Sequence, residues 1–186
     1  MKKYSRTKEN LVFENKFIQL FNDDVLTPSG RPGKYVRLRY QGNPPGIVVI
    51  PRLGANRFLL LNVFRYAMDE LSIEFPRGTA EVDENAKQAA KREFKEETSL
   101  DLSSSAFTSL GFLRPDTAII ETEVEIFLVD VAEDVLSSIK LDEEIDGIYS
   151  YILLSREDIF TKIRTGEIRD GFTIGAVGVL AANQLL

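Results

Sequence analysis

The chain contains no cysteine and no histidine. Without them, disulfides, thiolate nucleophiles, Ser-His-Asp and Cys-His catalysis, and zinc held by imidazole or sulfur are all excluded. The chemistry left for a catalytic centre is that of hard cations on oxygen ligands. Basic excess is also missing: formal net charge is -6 and pI about 4.9, which argues against a nucleic-acid partner. A phosphate-bearing ligand would then need a divalent cation or locally placed arginines. No apolar run reaches 18 residues, and MKKYSRTKEN lacks the apolar stretch of a signal peptide, so the expectation is a cytoplasmic protein without a membrane partner.

With 186 residues, 44% of them hydrophobic, the chain can form one well-buried core with an appendage, not two large domains. Residues 10-22 and 34-40 alternate as strands around the turn-rich TPSGRPG, which predicts an N-terminal antiparallel sheet over about 1-42. The break QGNPPG opens a main domain over 43-186. Within it, strands are predicted at 47-52, 57-65, 107-113, 124-132 and 148-154. Helices are predicted at about 84-98 with Asp83 as N-cap, from Ser155 to about Thr165, and from Thr173 to Gln184. This order suggests an α/β (mixed α+β) fold, a mixed sheet between helices.

The helix near 84-98 carries the chemistry. At 100° per residue, Ala89, Ala90, Glu93, Glu97 and Leu100 lie within about 60° of Ala86, with Lys87, Lys91, Lys95 and Thr98 on the other side. Two glutamates thus sit in the middle of an alanine face. Burying two unpaired carboxylates costs several kcal/mol each, so the pattern calls for a cation. Glu93 and Glu97 are one turn apart, Glu96 flanks the same edge, and an all-oxygen set favours Mg²⁺ or Mn²⁺. Such ions suit displacement at phosphorus. The competing reading is an ordinary charged helix face neutralised by Arg92 and the lysines.

Residues 78-100 resemble the signature of the Nudix hydrolases, Gly-x5-Glu-x7-Arg-Glu-apolar-x-Glu-Glu-x-Gly-apolar. Gly78, Glu84, Arg92, Glu93, Phe94, Glu96, Glu97 and Leu100 match, and Ser99 replaces the second glycine. The resemblance implies an α/β/α sandwich with an added N-terminal sheet. It also implies Glu93, Glu97 and Glu96 as metal ligands with the Arg77 carbonyl, two or three Mg²⁺ (or Mn²⁺) ions, and a structural pair Glu84–Arg92. Ser99 is expected in a left-handed conformation at a small stability penalty.

Outside the box, Arg65, Tyr66, Glu70, Glu74, Pro76 and Pro115 resemble the ADP-ribose pyrophosphatase subgroup, as does the segment 164-180. That likeness implies a nucleoside diphosphate sugar as substrate, ADP-ribose above others, and a homodimer built by the N-terminal sheet, where Phe17, Tyr35 or Tyr40 could stack on the base. It also implies a general base from KLDEEIDG, Glu143 or Glu144. Arg65, Arg77, Arg114 and Pro115 are the substrate-binding candidates; Arg77 departs from the subgroup's usual alanine. The alternatives are a GDP-mannose or ADP-glucose type pyrophosphatase, and a non-catalytic Nudix module that binds a nucleotide.

Overall fold

The computed structural model describes residues 1–141 and 147–186. In chain order the strands are β1 (Ser5–Lys8), β2 (Leu11–Glu14), β3 (Ile18–Leu26), β4 (Pro32–Tyr40), β5 (Gly46–Leu53), β6 (Arg57–Arg65), β7 (Glu70–Glu74) and β8 (Arg77–Thr79). They continue as β9 (Thr108–Leu113), β10 (Ile120–Glu121), β11 (Val124–Asp130) and β12 (Ile148–Ser155); the helices are α1 (Ala86–Thr98), α2 (Arg156–Thr165) and α3 (Gly171–Ala182).

The chain divides into two compact units, and the smaller comprises Met1–Pro44 together with Arg114–Thr122. Its sheet is centred on the β3–β4 hairpin, paired from Ile18↔Tyr40 to Leu26↔Pro32. Two short strands share the other edge of β3, and β10 runs parallel to β4. The predicted single strand over 10-22 is in fact two, because Asn15 Oδ1 accepts from the N–H groups of Phe17 and Ile18 and turns the chain. Within this sheet, Arg37 lies over the Phe21 ring and bonds the buried Asp23 at 2.6 Å.

The larger unit, Pro45–Leu113 with Glu123–Leu186, holds a seven-stranded mixed sheet. Its centre is β5, which pairs in parallel with β11 along its whole length and with β8 and β6 at opposite ends of its other edge. A strand covered on both faces must be apolar throughout, and Ile47, Val48, Val49 and Ile50 are all at most 1% exposed. Alternation splits them. Ile47 and Val49, with Leu59, Leu61 and Phe127, pack against Ala89, Ala90 and Phe94 of α1. Val48 and Ile50, with Phe58, Leu60 and Ile126, pack against Ile159 of α2 and Ala176, Val177 and Leu180 of α3. The result is the expected α/β/α sandwich.

Boundaries differ from expectation where side chains compete for the backbone. α1 begins at Ala86, not Glu84, since Asn85 forms the capping box with Gln88 while Asp83 takes a left-handed turn (φ 66°). α3 begins two residues before Thr173, capped by Asp170. The strands β1, β7, β8 and β10 are too short to give a periodic signal, and the sequence pattern does not show them.

Candidate functional site

Glu93 and Glu97 project from α1 onto the strand β8, and both meet its backbone. The Thr79 N–H donates to Glu93 Oε1 and the Arg77 N–H to Glu97 Oε2, each at 3.1 Å. Gly78 lies between them. A Cβ built there would stand 2.0 Å from the Glu93 carboxyl carbon, so only glycine lets the helix carboxylate settle against the loop. The sequence phase places these glutamates correctly but misplaces Thr98, which is fully buried and donates its hydroxyl proton to the Phe94 carbonyl.

Arg92 ties the same corner from the other side. Its guanidinium bonds Glu84 at 3.0 Å and the Thr79 carbonyl at 2.8 Å, and reaches Glu93 at 3.1 Å and Glu96 at 2.9 Å. Glu96 is about half exposed and turned to Arg92, while Glu93 and Glu97 are turned to β8. Accordingly, no group of three or more acidic side chains among the described residues already converges to hold an ion. The charge-neutralising reading of Arg92 is therefore present in the structure alongside the carboxylate cradle.

Burial pushes the Glu93 carboxyl above its ordinary range; Arg92 and the Thr79 N–H oppose that shift without cancelling it. A largely buried carboxylate that its neighbours leave under-compensated, in a cradle with no room for a Cβ, fits a divalent cation. The Arg77 carbonyl belongs to the same strand, β8.

Beside this corner a cavity of about 390 Å³ opens between the end of β6, β7 and the start of α3. At its floor Glu74, only 2% exposed, receives Arg65 through Nε at 2.9 Å and Nη2 at 2.5 Å, and Arg77 through Nε at 2.8 Å. Burial alone would raise the Glu74 carboxyl, but the hydrogen bonds and charges of Arg65 and Arg77 outweigh it and hold it at about 2. Two expected site residues thus meet on an acid that the sequence marked only as part of a motif. Asp170 and Phe172 complete the corner; both lie in the segment 164-180 that resembles the subgroup, but their contact with Arg77, more than 90 residues away in the chain, leaves no local pattern.

Arg114 (exposed) and Pro115 (half-buried) start the Arg114–Thr122 segment of the smaller unit. Glu143 and Glu144 lie outside the described residues. Ser99 has φ 62° and closes α1 through its N–H to the Lys95 carbonyl, the left-handed cap expected of it.

Residues 42–171 match the NUDIX domain. The chain belongs to the Nudix family. This Nudix chain is 24% identical over 180 residues to an ADP-ribose pyrophosphatase of Bacillus subtilis (strain 168), covering 94% of the chain and 91% of that protein. It is equally 24% identical over 184 residues to a methanol dehydrogenase activator of Bacillus methanolicus, covering 96% and 93%. Among solved structures, one described as an ADP compounds hydrolase superposes with a TM-score of 0.76 at 14% identity, covering 100% of this chain and 98% of that one. At that identity the superposition establishes the Nudix fold, and among the described residues no helix is long and apolar enough to cross a membrane.

Proposed function

We propose that this Nudix protein hydrolyses the diphosphate bond of a nucleoside diphosphate sugar, with ADP-ribose giving AMP and ribose 5-phosphate. The observation that carries the reading is the pair of hydrogen bonds by which β8 holds Glu93 and Glu97 side by side at the Gly78 cradle. Glu93, Glu97 and the Arg77 carbonyl would hold the divalent cation, Mg²⁺ or Mn²⁺ in two or three copies, with Glu96 joining on release from Arg92. When bound, such a cation neutralises phosphate oxygens and lowers the pKa of a coordinated water.

The chain's own groups do the rest. Arg92 and Glu84 fix the start of α1 against Thr79, so the carboxylates are set before substrate arrives. Arg65 presents a guanidinium, already oriented by Glu74, to a phosphate oxygen. Glu143 or Glu144 accepts the proton of the attacking water. One phosphorus–oxygen bond forms to that water, and the bond to the bridging oxygen breaks.

A homodimer through the smaller unit is part of the proposal. It is supported by Leu11, Val12, Phe13 and Phe17, which are all exposed there, and sedimentation velocity distinguishes one chain from two. The reaction is tested by phosphate release in a coupled phosphatase assay over ADP-ribose, ADP-glucose and GDP-mannose, with and without Mg²⁺. Tight nucleotide binding with no turnover of any of them would favour a sensor and defeat the hydrolase reading.

A further inference from the structure

We propose that the Arg77 side chain is a specificity-determining residue that sets which sugar the site accepts, and that the first turn of α3 is the frame holding it in place. This rests on the nucleoside diphosphate sugar reading above and assigns a part of that site. Residue 77 acts in two separable ways. Its backbone N–H bonds Glu97 at the acidic corner, while its side chain lines the cavity of about 390 Å³ next to it.

That side chain is held on three sides. Glu74 Oε2 accepts from Nε at 2.8 Å, the Phe172 ring lies with its centroid 4.6 Å from the guanidinium carbon, and Asp170 Oδ1 stands 3.9 Å from Nη2. The frame is itself anchored. Asp170 caps α3 by accepting from the Thr173 N–H at 2.8 Å, and the fully buried Thr173 hydroxyl accepts from the Phe75 N–H at 3.1 Å. The turn that carries Asp170 and Phe172 is thus bonded to the strand end that carries Glu74. A long arginine that solvent would leave mobile becomes a fixed wall.

The chemistry of the cavity selects the ligand class. Arg65, Arg77 and Arg169 face Glu70, Glu74 and Asp170, so its charged lining sums to zero, and Ser72 adds a hydroxyl. Donors beside acceptors, without net charge, suit an uncharged hydroxyl-rich group, in preference to one bearing a phosphate of its own. The Arg77 guanidinium also occupies space that a small residue would leave open. It therefore favours a compact sugar over a larger one, by volume and by hydrogen bonds that a misfit sugar leaves unmade.

The experiment compares wild type with Arg77→Ala on ADP-ribose and ADP-glucose, which share base and diphosphate and differ in the sugar. ADP-ribose and GDP-ribose, which differ only in the base, provide the control. The ratio of kcat/KM for ADP-ribose over ADP-glucose falls about tenfold or more in Arg77→Ala, while the base ratio stays within about threefold. Phe172→Leu, which keeps the apolar contact and removes the ring face, moves the sugar ratio in the same direction by less. Affinities of the same ligands by calorimetry in EDTA give the parallel readout without metal or turnover. Loss of activity on all substrates in equal proportion, or movement of the base ratio alone, overturns the proposal. Absence of wild-type turnover would defeat the hydrolase reading only, since the affinity ratio in EDTA still decides the role of Arg77.

Discussion

The Arg77 N–H donates to Glu97 Oε2 at 3.1 Å, so the loop that approaches α1 and the acid that α1 presents are set by one bond. Its twin, Thr79 N–H to Glu93 Oε1, repeats the arrangement four residues up the helix and two along the strand. Between them Gly78 permits contact that no other residue could match. Gly78→Ala puts a methyl group 2.0 Å from the Glu93 carboxyl carbon. The expected outcome is a stability loss of about 1–3 kcal/mol in urea denaturation, with Mg²⁺ no longer raising the melting temperature. A variant that keeps its Mg²⁺ response would contradict the cradle.

The Glu93 carboxyl lies above its ordinary range because it is buried, which fixes the sign of a pH effect. Proton and cation compete for it. As pH falls through that raised value the protonated form gains and cation binding weakens, whereas well above it Glu93 is fully available. The rise in melting temperature caused by Mg²⁺ is therefore larger at pH 8 than at pH 5, and Mg²⁺ binding near the raised value releases protons. Calorimetry in two buffers of different ionisation enthalpy checks this; an effect of Mg²⁺ independent of pH would count against Glu93 as a ligand.

At Ser99 the left-handed backbone costs a serine about 1 kcal/mol relative to glycine. Against that, its hydroxyl donates to the Lys140 carbonyl at 3.1 Å, an exposed bond that glycine would lose. Ser99→Gly is expected to raise the melting temperature slightly, by less than the full relief of strain, and to leave kcat within about twofold. A large fall in rate would give Ser99 a part in the site that its geometry does not suggest.

Glu143→Gln and Glu144→Gln, assayed separately at saturating Mg²⁺, locate the general base. One of them is expected to lower kcat by about 10²-fold or more with little change in KM. If neither falls at least about tenfold, proton transfer belongs to another group.

The sandwich was legible in the sequence because its signals are local and periodic. β5 and β6 are long apolar runs, and α2 opens on a capping box at Ser155 and Asp158. The acid pair was legible for the same reason, since a helix converts spacing into a face. What the sequence could not display is contact between distant segments. Nothing near Glu74 announces that its carboxylate is shared by Arg65 and Arg77, and nothing near Phe172 announces the guanidinium beside it. The sequence offers Arg92 both as the partner of Glu84 and as a neutraliser of the helix glutamates, and in the structure it is both, holding Glu84, Glu93 and Glu96. Spacing of four residues allowed that contact but also allowed Glu96 to turn toward an ion, and only the placement of Thr79 explains why Arg92 stands between them.

The most direct test of the central claim is Mg²⁺-dependent hydrolysis of ADP-ribose by wild type and by Glu97→Gln, with AMP and ribose 5-phosphate identified by phosphorus NMR. The account predicts turnover by wild type that EDTA abolishes, and a fall of about 10²-fold or more in Glu97→Gln, with the variant remaining folded. Wild-type turnover that survives EDTA, or a Glu97→Gln variant as active as wild type, would contradict it.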